Sequence, residues 1–337
     1  MKGKAALPLV FLLLFSGSTL AAPYWLKPGT ELVYFANATK PDTYYGGGAY
    51  YRSDGCIATL GFQSMRVVFR IINVSNDWAI VNVTVGLYGD KSLRWPYSEV
   101  TAYYPANCTL DLPWPVNTIT HSLRENVSFE WADYGTELVL NGSYKIHLLT
   151  GIVYSMDGRP YGHTLLFGLY PVSNMSYVIL DGKHLAFNVI RVLNSTTYVT
   201  YYRNFTGPNV FLSSEPVNFT DPSGATSFIR SIVIFNPGDD LTAGFMGVIP
   251  DLGASVRLDV IAISDNMMDR LTPKFSGGEV DRAVPAGVLL YNVSVPKTQS
   301  DEHVTQQASV PAISGPWIGG VLAGLLLLAG VFLMKRR

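Results

Sequence analysis

Cysteine, charge and histidine are all scarce in this 337-residue chain, and each shortage removes a class of function. Only 15% of the residues are Asp, Glu, Lys or Arg, and no basic block interrupts the sequence. Nucleic-acid binding is driven by clustered Lys and Arg, so that class is excluded. The five histidines, His121, His147, His163, His184 and His303, are scattered. No His-Glu-x-x-His helix, Gly-x-Ser-x-Gly elbow or phosphate-binding loop is present, and Gly46-Gly47-Gly48 lacks the Lys-Ser/Thr that such a loop needs. No cofactor or metal is therefore expected. Asp265–Asp269 and Pro237–Asp240 are the densest oxygen clusters, but neither has the spacing of an EF-hand. Glu130 with Asp133, or Glu99 with Asp111, could be paired acids of a hydrolase only if the fold brought them together.

The two cysteines, Cys56 and Cys108, are most simply one disulfide in an oxidising compartment. Closing a loop of that length would stabilise the fold by about 4 kcal/mol in the chain-entropy model.

What the chain has in quantity sits at its ends. Pro316–Met334 is free of ionisable side chains and ends in Lys335, Arg336 and Arg337. At helical rise it spans about 28 Å, the thickness of a bilayer core, and the basic cluster places its end in the cytoplasm. At the other end Lys2 and Lys4 precede an apolar run, Ala5–Phe15, and then the small residues 16–22. This is a signal-peptide pattern with a cut expected after Ala21. Residues 1–21 are thus read as signal peptide, 296–315 as a flexible polar stalk, 316–334 as a transmembrane helix and 335–337 as a basic tail.

Five of the 24 basic residues lie in these tails, which leaves 19 against 25 acidic ones, a net charge of −6 for the exterior part. Asn-x-Ser/Thr triplets begin at Asn37, Asn73, Asn82, Asn107, Asn126, Asn141, Asn174, Asn194, Asn204, Asn218 and Asn292, which is 11 of the 17 asparagines. Chance would give about two or three, so heavy N-glycosylation is expected.

Between the tails, Tyr, Val, Ile, Thr and Phe favour strands. Runs at 31–35, 65–74 and 78–85 read as strands, the last two as a hairpin around Ser75-Asn76-Asp77. Further strands are expected within 126–155, 184–193, 197–202, 227–236, 255–264 and 286–295, with a short helical turn at 264–271. Gly135–Val139 repeats Gly29–Val33 letter for letter, and 184–202 echoes the first hairpin, which hints at a duplicated β unit. The expected architecture is all-β, a sandwich or barrel-like pair of sheets, divided into β units 22–128 and 129–295.

Residues 40–55 and 94–116 read as irregular loops rich in aromatics. Tied by a Cys56–Cys108 bond, they would bring Tyr44, Tyr45, Tyr50, Tyr51, Trp95, Tyr97, Tyr103, Tyr104 and Trp114 to one end of the scaffold. Such rings suit a sugar or a partner protein; the alternative is that they cap a wide core.

Ser314-Gly315-Pro316, the apolar helix and the terminal basic cluster resemble the tripartite C-terminal sorting signal of archaeal surface proteins, in whose thermococcal form Cys-Gly-Pro precedes the helix. Ser314 stands in place of that cysteine. The resemblance implies an archaeal envelope location, with a retained helix rather than a lipid anchor. The sequence therefore points to a single-pass, glycosylated surface protein that binds an extracellular glycan or partner protein. A structural spacer without a ligand and a carboxylate hydrolase remain as alternatives. Gly315-x-x-x-Gly319 and Gly320-x-x-x-Gly324 would allow helix pairing in the membrane.

Overall fold

A computed structural model describes residues 22–37, 47–53, 56–89, 101–105, 117–124, 127–133, 137–169, 176–178, 184–193, 197–220, 226–263 and 287–296. In the stretches 101–133, 176–193 and 226–229 only the backbone is described. The expected signal peptide, stalk, membrane helix and basic tail lie outside these residues. No helix among the described residues is long and apolar enough to cross a membrane.

The described chain is mostly β-sheet, curled into a half-barrel. In order the strands are β1 (Glu31–Asn37), β2 (Gly47–Ser53), β3 (Cys56–Phe62), β4 (Ser64–Val74), β5 (Trp78–Tyr88) and β6 (Thr101–Pro105). Then come β7 (Asn117–Arg124), β8 (Val127–Asp133), β9 (Glu137–His147), β10 (Ile152–Ser155), β11 (Pro160–His163) and β12 (Ser176–Val178). They are followed by β13 (His184–Leu193), β14 (Thr197–Val199), β15 (Asn204–Thr206), β16 (Asn209–Ser214), β17 (Val217–Thr220) and β18 (Thr226–Ile229). The last are β19 (Ile232–Asn236), β20 (Leu241–Val248), helix α1 (Pro250–Val256), β21 (Leu258–Ile263) and β22 (Val288–Ser294).

The β4–β5 hairpin forms as its alternation dictates. Met65, Val67, Phe69 and Ile71 of β4 and Ala79, Val81, Val83, Val85 and Leu87 of β5 are fully buried, while Arg66 and Arg70 face out. The Ser75 hydroxyl closes the turn, accepting from Trp78 N at 3.1 Å. Strands β1 and β9 flank this hairpin on either side, and all four are antiparallel. From β1 the pairing continues through β22 to β20 and β19; from β9 it continues through β10, β11, β12, β13 and β16, again to β19. The sheet therefore curls back on itself. Its inner face meets across the core, where Phe69 packs edge to face with Tyr34 and Phe245, those two rings are tilted against each other, and the Tyr34 hydroxyl donates to Thr242 O at 2.9 Å.

A second run of strands, β2 with β21 and β3, then β6, β8 and β7, joins through β20–β21. Helix α1 packs against the sheet with its backbone almost touching β9: a Cβ on Gly142 would lie 2.0 Å from Ser255 O. Only glycine fits there.

Four expectations need correction. The break expected at 128/129 falls inside β8, and β5 on one side pairs over its whole length with β9 on the other; residues up to Pro296 form one compact unit. The two repeated pentapeptides open β1 and β9, which flank one hairpin rather than heading two units. The segments at 184–193 and 197–202 do not pair with each other, since β13 lies between β12 and β16 while β14 pairs with β15. Residues 255–256 close α1, so the strand expected at 255–264 starts at Leu258. The helical turn expected at 264–271 lies outside the described residues.

Candidate functional site

Where they are described, at 47–53 and 101–105, the expected aromatic loops are strands. Tyr50 and Tyr51 belong to β2, which has β3 on one side and β21 on the other, and they are 8% and 4% exposed. Neighbouring strand residues point to opposite faces, so both faces of β2 are covered and both rings are core. Tyr103 and Tyr104 lie in β6, not in an irregular loop. Tyr44, Tyr45, Trp95, Tyr97 and Trp114 lie outside the described residues. Cys56 opens β3 and Cys108 is outside, so their pairing lies beyond what is described.

A different aromatic cluster reaches the surface. Phe35 stands on the outward face of β1, Tyr291 beside it on β22, and Tyr201 at the tip of the β14–β15 hairpin. The three ring centroids are 5.8–6.1 Å apart with planes inclined at 50–70°. Tyr201 and Tyr291 remain 48% and 52% exposed. The hairpin is held there by Tyr202 N, which donates to Leu290 O of β22 at 3.2 Å. Arg203 follows, paired with Asp239 and lying over the Phe205 ring at 4.8 Å. Inclined, mutually braced rings, two of them half exposed, form an apolar cup at the surface, suited to the face of a sugar or to an apolar side chain. No local pattern marks these three residues in the sequence, because they come from three distant segments.

Three sequon asparagines lie close to these rings in the sequence. Asn37 lies two residues beyond Phe35 in β1, Asn292 follows Tyr291, and Asn204 is three residues past Tyr201. Asn73, Asn141, Asn204, Asn218 and Asn292 are exposed, and Asn82 is half-buried. In the β1–β4–β5–β9–β22 part of the sheet the sequons share the outward face: Asn292 lies opposite Val33, Asn82 opposite Arg70 and Ser143, and Asn141 opposite Thr84. Asn107, Asn126, Asn174 and Asn194 lie outside the described residues.

Two buried carboxylates were not nominated by the sequence. Asp251, on α1, is fully buried and accepts from the Tyr144 hydroxyl (2.7 Å), the Thr164 hydroxyl (2.6 Å) and Leu165 N (2.8 Å). Burial raises its pKa against the pull of these donors. With its lone pairs so engaged, Asp251 clamps the helix and has no room to act on a substrate. Asp259, on β21, is covered by Gly253 of α1 and by Tyr161; burial pushes its carboxyl up to about 7, although Arg52 Nε lies 3.9 Å away. Of the oxygen cluster at 237–240, Asp239 is engaged by Arg203 and Asp240 Oδ1 by Gly168 N at 2.7 Å. Among the described residues no group of three or more His, Cys, Asp or Glu could hold a metal. Glu130 and Asp133 lie in β8; Glu99 and Asp111 are outside the described residues.

No family model, curated protein or solved structure matches this chain.

Proposed function

We propose that the chain is a single-pass, N-glycosylated protein of an archaeal-type cell surface, exported by its signal peptide, anchored by its C-terminal helix and stapled by a Cys56–Cys108 disulfide. Its β ectodomain binds an extracellular glycan through Phe35, Tyr201 and Tyr291. The observation that carries the reading is the cluster itself: three braced rings on the outward face of the sheet, two of them half exposed, where a core role would have covered them. A partner protein is the alternative occupant of the same cup.

The sequons close to these residues in the sequence favour one further reading, that the rings hold the chain's own sugars. One experiment separates the three. The glycosylated and the deglycosylated ectodomain are titrated with envelope polysaccharide fragments and with envelope proteins, each beside the Tyr201→Ala/Tyr291→Ala double variant. Polysaccharide binding that the double variant loses supports the glycan reading, and envelope-protein binding lost in the same way replaces it. Binding gained only on deglycosylation assigns the cup to the chain's own sugars. Binding that survives in the double variant refutes the cup as the site.

A further inference from the structure

A small cavity of about 100 Å³ lies between the start of the described chain and the turn that ends at Asp240. Its walls include Ala22, Pro23, Thr150, His163, Phe167 and Asp240. Asp240 is half-buried, its Oδ1 accepts Gly168 N, and no other donor reaches its carboxylate among the described residues. His163 Nδ1 is 2.7 Å from Thr164 O, and a carbonyl can only accept, so Nδ1 carries the proton and Nε2 is left with its lone pair. Nε2 points at Gly151, where a Cβ would lie 2.1 Å away. Burial lowers the His163 pKa.

A carboxylate with a single donor in the wall of a space this small fits a compact cation with several N–H donors. The chain's own start is held at that place. Trp25 is fully buried, its ring edge-on to Phe167 at 5.8 Å, and its indole N–H donates to Asp240 O at 3.2 Å. Leu26 N donates to Pro23 O at 2.9 Å and Lys27 N to Trp25 O at 2.8 Å, closing tight turns that fix the path from Pro23 onward. Only two residues separate Ala22 from the tryptophan anchored on Asp240.

We infer that this cavity is the seat of the Ala22 α-ammonium released when the signal peptide is cut after Ala21. The inference rests on the signal-peptide reading. Before cleavage the Ala22 nitrogen is a neutral amide with a single donor. Hydrolysis of the Ala21–Ala22 bond adds water across it, leaving a carboxylate on the departing peptide and an ammonium with three donors on Ala22. That ammonium neutralises Asp240 and supplies the donors that the carboxylate lacks. The N-terminal segment thus becomes fully secured only in the processed chain, and maturation completes the fold.

The test uses residues 22–296, which form one compact unit, prepared with a free Ala22 amine and with an Nα-acetylated Ala22, each with Asp240 and with Asp240→Asn. Acetylation removes the charge and two donors and leaves every other atom in place. The free-amine protein should melt about 2–4 °C above the acetylated one, and Asp240→Asn should abolish that difference. Equal melting of the two forms, or an equal loss from Asp240→Asn in both, would overturn the assignment. N-terminal sequencing of the exported protein tests the processing reading separately. A start other than Ala22 would remove the biological role even if the pocket proved to hold an ammonium in vitro.

Discussion

Asp259 makes the stability of this ectodomain depend on pH in a direction opposite to that of most paired carboxylates. Alternation along β21 sends Leu258 and Val260 into the core and leaves Asp259 on the other face, under Gly253 and Tyr161, with its side chain 14% exposed. Burial outweighs the attraction of Arg52 and Arg159 and pushes the carboxyl from 3.8 up to about 7. The folded state therefore holds the proton longer than the unfolded chain does. Stability is fully present below the unfolded value and is lost as pH rises towards the folded one. Between pH 5 and pH 8 these two values imply a loss of about 2–3 kcal/mol from this one group. Asn is nearly isosteric and cannot ionise. Urea unfolding of residues 22–296 at pH 5, 6, 7 and 8, for the parent and for Asp259→Asn, isolates the effect. Asp251 and Asp240, raised by burial, act in the same direction, and His163, lowered by burial, acts in the opposite one; all three are common to both proteins and cancel in the difference. The parent should lose ground to the variant by about 2–3 kcal/mol over this range. A difference that stays constant with pH would refute the reasoning, because it would mean that Asp259 is ionised in the fold throughout.

Substitutions at Asp251 and Gly142 probe how α1 is seated. Asp251→Ala leaves the Tyr144 hydroxyl, the Thr164 hydroxyl and Leu165 N without their acceptor and should cost about 3–5 kcal/mol, with Asp251→Asn milder, both read from urea midpoints. Gly142→Ala drives a methyl into Ser255 O and should cost about 1–3 kcal/mol by the same assay, whereas Gly158→Ala, with nothing near the new atom, should cost less than that despite its positive φ.

The sequence disclosed strands where one face is wet. β4 and β5 were legible to within about three residues because Arg66, Arg70, Asn82 and Thr84 alternate with buried Val and Phe. It concealed strands covered on both faces. β16 and β20 are buried almost throughout, so NVFLSS and LTAGFMGV show no alternation to read. β2 was hidden differently, since glycines and tyrosines that suggest a surface loop are here a strand held between two others. Helix α1 is short and buried nearly all round, so it has no amphipathic period, and Pro250 at its start is the one signal it left. The site was least legible. Asp251 and the Phe35–Tyr201–Tyr291 cup draw on residues far apart in the chain, and only the sheet pairing brings them together.

The sequons at Asn82 and Asn141 can report when the sugars are attached. They lie diagonally across β5 and β9, about 7–8 Å apart at Cα. In the fold Asn82 Nδ2, the atom a sugar would join, donates to Gly142 O at 3.0 Å and to the Ser143 hydroxyl at 3.2 Å. The hydroxyl of its own sequon, on Thr84, donates to Asn141 Oδ1 at 2.8 Å. Both groups that a glycosyltransferase must engage at Asn82 are thus occupied within the sheet. Asn141 is exposed, and its Nδ2 has no hydrogen-bond partner among the described residues. If transfer follows folding, mass spectrometry of tryptic glycopeptides should find Asn141 and Asn292 modified and Asn82 bare. Full occupancy at Asn82 would require the sugar to arrive on an open chain. The β5–β9 edge would then have to fold around it without the Asn82–Gly142 bond, and Asn82→Asp in the bare protein should be correspondingly well tolerated.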